Sequence, residues 1–472
     1  MSGKEFSGQA TSDPVQAAAE KMRLAGQSDA AVAAFSDALE RVRGGVRAFI
    51  SSAELEPAPD VPALDQLPEV KAEAALAGVA LIRLNGGLAT SMGLREPKSL
   101  LTAREGKSFL EIIARQTLAL RKRFGVRLPL VLMNSDVTRD SSLAALKAMS
   151  GLAVPGVPAD FVQSMVPKLD SQTMMPARWP ADPQLEWCPP GHGDVYAALV
   201  GSGTLDALLD QGFRYVLIAN SDNLGAVTDA RIAGYMAAEQ IPFLMEVVRG
   251  TEADRKGGHI ARRLSDGRLV LRETAQTPDD DLDSFRDYRR WRYYNTNSLW
   301  LDLQALAELR ARGEGLQLPV IVNHKTVDPR DPSSLKVIQL ECAMGAAIGS
   351  FPGARVLEVP RTRFVPVKTT DDLLLLRSDA YRLGEDARIE PAAAGPAALP
   401  FVALDKRYFG MIDSFERRFA DGPPSLRAAR RLVVTGDVSF GAGVTVEGSV
   451  EITAGDQPMR VSDGTVLQGT ER

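Results

Sequence analysis

Apolar residues change their spacing three times along the chain. Over residues 14–50 they fall three and four apart, so that Val32, Phe35, Leu39, Val42, Val46 and Phe49 share one stripe of a helix. That spacing predicts an N-terminal helix docked on a larger body, and the Pro-, Ala- and acid-rich stretch 51–68 predicts a linker behind it. Short aliphatic runs then alternate with amphipathic segments. Residues 79–84, 128–133, 215–219 and 364–367 read as strands, and 109–124 and 229–239 as helices. Such alternation predicts βαβ units around a mostly parallel sheet. Ligands of such sheets sit beyond the carboxyl ends of the strands. Three loops follow from that rule: residues 85–98, those after Met133, and 220–225.

The last stretch repeats every six residues. Leu432, Val438, Val444 and Val450 form one register; Val434, Phe440, Val446 and Ile452 form another; Gly436, Ala442, Gly448 and Ala454 fill a small-residue slot. This is the mark of a left-handed parallel β-helix, here a small one because the period breaks at Asp456. The Ala- and Pro-rich residues 384–399 read as its linker. The chain thus divides into an N-terminal helical segment with linker (1–75), an α/β body (76–383) and a linker with β-helix (384–472).

Composition narrows the chemistry. The 472 residues carry 55 Lys and Arg against 60 Asp and Glu, a net charge of −5, which argues against a nucleic-acid partner held by counterion release. Two cysteines and three histidines are too few for a disulfide framework or a multi-ligand zinc site. Cys188 and His192 together would give zinc only two ligands. No apolar leader opens the sequence and no run approaches the ~20 apolar residues that span a bilayer, so a cytoplasmic protein without a membrane partner is expected.

Three segments carry chemistry. Leu84-Asn85-Gly86-Gly87-Leu88-Ala89-Thr90-Ser91-Met92-Gly93, closing on Pro97-Lys98-Ser99, follows a strand with glycines that let backbone N–H groups approach a phosphate, and Lys98 adds mobile positive charge. It is neither G-x-G-x-x-G nor the P-loop, and an ordinary strand-to-helix turn would use the same glycines. Asn220-Ser221-Asp222-Asn223-Leu224-Gly225 places a carboxylate where a hard cation could bridge it to phosphate oxygens, although Asp and Asn also make turns. Pro189-Pro190-Gly191-His192-Gly193-Asp194 offers an imidazole on an open backbone, beside an acid that usually signals a structural pair. Lys368 follows the last strand-like run, where a lone lysine is usually solvated. The run 279–283 with Arg286, Arg289, Arg290 and Arg292 reads as a solvated, self-pairing loop. No G-x-S-x-G elbow is present.

These segments, with 163–167, 256–258, 294–300, 338–347, 367–372 and 422–426, run in one order from about residue 80 to the end. In that order the chain resembles the eukaryotic-type UTP–glucose-1-phosphate uridylyltransferase family. The resemblance implies a nucleotide-diphospho-sugar transferase-like, Rossmann-type mixed sheet, with an N-terminal helix and a C-terminal left-handed β-helix. It implies Leu84, Asn85, Gly86 and Gly87 at the uridine and phosphates, Lys98 and Lys368 on the transferring phosphates, Gln163 on the uracil edge, and Met133 and Gly191 near the base. His192 would contact the sugar phosphate; Asn220, Ser221 and Asp222 would face sugar and ribose, Asp222 also binding Mg²⁺; Asn295 and Asn297 would hold the hexose. Oligomers through the β-helix are implied as well.

Ala89 stands where the family carries glycine, which raises the question of a positive φ there. His259 replaces a small residue, and Ser298 replaces an asparagine beside the expected hexose site. The competing readings are the same chemistry on another sugar 1-phosphate, a non-catalytic nucleotide-sugar sensor, and an acyltransferase tail. Lys98, Asp222 and Lys368 together argue against the sensor, and the absence of histidine from the repeat argues against the acyltransferase.

Overall fold

The N-terminal stripe forms two helices, Pro14–Leu24 and Asp29–Arg43, where its spacing predicts one. The computed structural model describes residues 13–46, 49–94, 96–392 and 399–469, and only the backbone at Ser91 and Ala253. Between the helices the chain turns at Gly26, and Asp13 and Ser28 cap their starts by accepting from the Gln16 and Ala31 N–H groups. Val32, Phe35 and Leu39 are buried, but the glycine pair at 44–45 ends the second helix, and Val46 and Phe49 stand exposed beyond it. Residues 1–12, on which the reading of no leader rests, lie outside the described residues.

The chain divides into two compact units of three stretches each. The first comprises Met1–Gln66, Gly156–Val216 and Tyr235–Glu358. Its strands are mixed in direction: Phe243–Arg249 runs antiparallel to Tyr293–Asp302 and parallel to Arg355–Glu358. His259–Arg263 runs antiparallel to Leu269–Arg272 and to Leu55–Pro57. Part of the expected linker is therefore a strand, held because Leu55 is buried with Ala261, Val270 and Trp291. A three-stranded antiparallel sheet, with Lys336–Cys342 between Val320–Thr326 and Leu169–Asp170, shares a core with Met22, Phe35 and Leu39 of the helices. The acidic–arginine run pairs partly outside itself, through Asp281 and Arg292. Asp281 accepts from the Ser52 N–H and Oγ and meets the fully buried Arg272 at 2.5 Å.

The parallel pairing that the alternation predicts lies in the second unit, Leu67–Pro155, Leu217–Gly234 and Val359–Arg472. Val79–Asn85 pairs parallel with Leu130–Asn134 through the helix Phe109–Phe124. Residues 79–82 are all buried, as an unbroken apolar run requires when both faces are covered. The helix begins at Ser108, whose Oγ accepts the Glu111 N–H, and ends on Gly125 in a left-handed turn. The expected strand 364–367 reduces to a single bridge between Pro366 and Asn223. The expected linker 384–399 begins as a hairpin of Tyr381–Leu383 with Ile389–Pro391, and residues 393–398 lie outside the described residues.

The hexapeptides form parallel strands in the order Phe401–Leu404, Ser425–Thr435, Thr445–Thr453 and Val466–Gln468, with Val438–Phe440 beside Met459–Val461. Leu432 pairs with Val450 and Val434 with Ile452, eighteen positions on, so three six-residue steps make one coil. All eight aliphatic and aromatic positions of the two registers are buried. After Asp456 the coil widens: Thr445 pairs with Val466, twenty-one positions on. Gly436 holds a φ of 87°, and a Cβ there would lie 2.8 Å from the Ala454 carbonyl oxygen. Gly436→Ala should therefore lower stability by about 2 kcal/mol. An unchanged denaturant midpoint would contradict this account of the coil.

Candidate active site

The three strand-end loops meet in the second unit. Ser221 donates both its N–H and its hydroxyl to the Leu84 carbonyl, at 3.2 and 2.8 Å. Ser135 Oγ donates to the Gly86 carbonyl. Asn85 is buried, and its amide is used within the protein, donating to Asn134 Oδ1 and Ser142 Oγ at 2.7 Å each. Met133 is buried in the strand beside Leu84. The Lys98 N–H donates to the Gly87 carbonyl and closes the loop, while a Cβ on Gly87 would meet none of the described residues within 4 Å. The loop thus presents backbone and open space, with its asparagine turned into the scaffold.

Charge concentrates beside that loop. Asp222 Oδ2 accepts from Lys98 Nζ at 2.8 Å and from Lys368 Nζ at 3.0 Å. Lys98 Nζ also donates to the Val367 carbonyl, and the Val367 N–H to the Asp222 carbonyl. Lys368 is held in turn by Asp372, whose carboxylate accepts the Lys368 and Thr369 N–H groups at the start of the helix Thr370–Arg377. Burial alone would raise the Asp222 carboxyl, but the two ammonium groups outweigh it and hold the acid below its ordinary value. The other oxygen, Oδ1, is buried without a partner among the described residues. Two lysines on one carboxylate leave an excess of positive charge, which suits a polyanion.

The first unit holds the remaining candidates. His192 is exposed, and its Nδ1 accepts the Met344 N–H at 3.0 Å. Gly191, with a φ of 81°, and Gly193 lie against Cys342, where Cβ atoms would come within 2.6 Å of Cys342 O and Sγ. These glycines permit close packing rather than an open backbone. Asp194 is buried and pairs not with His192 but with Ser164, accepting its N–H at 2.6 Å. That bond fixes the segment carrying Gln163, whose amide has no partner among the described residues. Asn295 and Asn297 bond each other at 2.8 Å across a bulge in which Asn297 takes a φ of 55°. Ser298, in the same bulge, is buried. His259 is a core residue, stacked 4.7 Å from Trp291, with burial and then Arg272 and Arg290 pulling its imidazole down to about 3.

Residues 35–447 match the family described as UTP–glucose-1-phosphate uridylyltransferase. The chain belongs to that family. It is 40% identical over 403 residues to the UTP–glucose-1-phosphate uridylyltransferase of Hordeum vulgare, covering 84% of this chain and 82% of the relative. It is 37% identical over 396 residues to the Saccharomyces cerevisiae protein of the same name, covering 83% and 77%. Its fold matches a mutant of Leishmania major UDP-glucose pyrophosphorylase in complex with UDP-glucose, with a TM-score of 0.91, 41% identity and coverage of 97% and 98%. A Trypanosoma brucei UDP-glucose phosphorylase matches at a TM-score of 0.86, 40% identity and coverage of 97% and 100%.

In this member of the uridylyltransferase family, sequence reasoning missed the residues that hold the loops from behind. Arg83 is fully buried, and its guanidinium donates to the carbonyls of Asn220, Asn223 and Ala226, bracing the segment that bears Asp222. A charged residue inside the apolar run 79–84 was the signal available. Ala89 does take a left-handed φ of 48°, so Ala89→Gly should raise stability by about 1 kcal/mol, read from thermal unfolding. A lower melting temperature would mean that the loop is not strained there. Burial pushes the Asp194 carboxyl up to about 6, against the Ser164 hydrogen bonds. Because that value exceeds the unfolded one, its contribution to stability is complete below pH 4 and is lost as pH rises through 6, roughly 3 kcal/mol in all. Asp194→Asn keeps an acceptor for Ser164 and should flatten the change in melting temperature between pH 4 and 7; equal slopes would refute the assignment.

Proposed function

We propose that this chain joins UTP and glucose 1-phosphate into UDP-glucose and releases pyrophosphate. The observation that carries the reading is the pair Lys98 and Lys368 on one buried carboxylate, at strand ends of a chain in the uridylyltransferase family. A phosphate oxygen of the sugar phosphate attacks the α-phosphorus of UTP. The bond from that phosphorus to the oxygen bridging toward the β-phosphorus breaks, and pyrophosphate leaves with its electron pair. Both reactants are anions, and the attacking phosphate needs no deprotonation. The catalytic requirement is charge neutralisation and in-line positioning, which lysines supply.

Lys98 and Lys368 exchange Asp222 for phosphate oxygens, and the backbone at Gly86 and Gly87 lies along the nucleotide. Leu84 and Asn85 act through the scaffold they anchor. Gln163 reads the uracil edge, with Met133 and Gly191 near the base. His192 donates to the sugar phosphate; Asn220, Ser221, Asn295 and Asn297 hold the hexose. The unpartnered Oδ1 of Asp222 fits one bond to Mg²⁺. Among the described residues no group of three or more His, Cys, Asp or Glu could hold a metal, so phosphate oxygens would complete its shell. Mg²⁺ so held would add positive charge at the triphosphate.

We assign catalysis to residues 76–383, with 1–75 as an N-terminal helical segment and linker and 384–472 as a linker and left-handed β-helix that carries contacts between copies. The eighteen-residue register and the exposed Phe401 and Val466 support that role. Cytoplasmic work fits two free cysteines and the lack, among the described residues, of any helix long and apolar enough to cross a membrane. Pyrophosphate release should require UTP, Mg²⁺ and glucose 1-phosphate when nucleotides and sugar phosphates are varied in turn. Lys98→Ala and Lys368→Ala should each lower turnover by about two to three orders of magnitude with the fold intact by circular dichroism. Near-normal rates in either variant would sink the mechanism.

A further inference from the structure

The His192 turn and the segment Cys342–Gly345 are laced together by bonds of fixed sense. The Cys342 N–H donates to the Pro190 carbonyl at 2.9 Å, and the Met344 N–H donates to His192 Nδ1 at 3.0 Å. On the far side of the same residue, the Tyr196 hydroxyl donates to the Met344 carbonyl at 2.7 Å. Tyr196 is buried, and burial raises its phenol well above the ordinary value, so it stays a donor. Met344 is thus held at both its N–H and its C=O.

A backbone N–H can only donate, so the nitrogen facing it must be an acceptor. His192 Nδ1 therefore carries no proton, and the neutral ring carries its proton on Nε2. The imidazolium would set one N–H against another and break the lacing. We propose that Tyr196 is a positioning residue that, by pinning Met344, fixes His192 as a neutral Nε2–H donor. His192 then meets an anionic oxygen through one directed hydrogen bond and leaves the positive charge to the lysines. The same segment bears on the hexose side, because a Cβ on Gly345 would lie 3.1 Å from Asn295 Nδ2.

The inference rests on reading His192 as a contact of the sugar phosphate, and one experiment separates the two. With three histidines in the chain, ¹⁵N side-chain spectra of the full-length protein, assigned with a His192→Gln variant, report the tautomer directly. Wild type should show His192 with Nδ1 unprotonated and Nε2 protonated; a protonated Nδ1 overturns the proposal without any variant. In Tyr196→Phe, His192 should shift to a mixture of tautomers while His324 is unmoved. KM for glucose 1-phosphate should rise about tenfold with KM for UTP unchanged. A wild-type tautomer in Tyr196→Phe overturns the positioning role. A changed tautomer with unchanged KM upholds that role and removes His192 from the sugar phosphate.

Discussion

Asp222 gives one carboxylate oxygen to two lysines, and the loops of the second unit are arranged around that contact. Two ammonium groups held on one carboxylate oxygen repel each other, and the single anion between them turns repulsion into a stable cluster. One negative charge against two positive ones leaves the cluster with an excess of positive charge. The braces behind it follow from the same need. Arg83 holds the Asp222 segment by its carbonyls, the Lys98 N–H closes the glycine loop, and Asp372 anchors the backbone of Lys368.

The proposed contacts differ in charge type: Lys98 and Lys368 are cations, whereas Gln163, His192, Asn295 and Asn297 are proposed as uncharged donors and acceptors. A neutral donor discriminates by direction where an ammonium ion discriminates by proximity. In the proposed reaction, attack by one anion on another therefore leaves sugar recognition to groups that add no further charge.

What was legible in the sequence follows physical rules of short range. The runs 79–84 and 109–124 are unambiguous because a fully buried strand and an amphipathic helix have distinct periods. The hexapeptide registers predict buried residues correctly because each step repeats the same surroundings. Reading failed where tertiary contact overrode local texture. Residues 51–68 look like a linker, yet Leu55 finds a sheet edge, and the helical stripe continues on paper past the glycines that end it. Residue type and spacing point to Lys98, whereas Lys368 reads as a solvated lysine apart from the family resemblance, since positions 98, 222 and 368 are joined only by the fold. Asn85 shows the converse: its place in a motif points to a ligand, while its side chain is committed to Asn134 and Ser142.

The eighteen-residue register of the C-terminal coil bears on how this part of the chain can change over evolution. The strands there pair with neighbours one turn before or after, so gain or loss of a whole turn conserves the remaining strand pairings. A single-residue insertion, by contrast, would shift aliphatic positions out of the interior for the rest of the coil. A change of a whole turn is thus the length change that this segment absorbs with the least disturbance to its pairing.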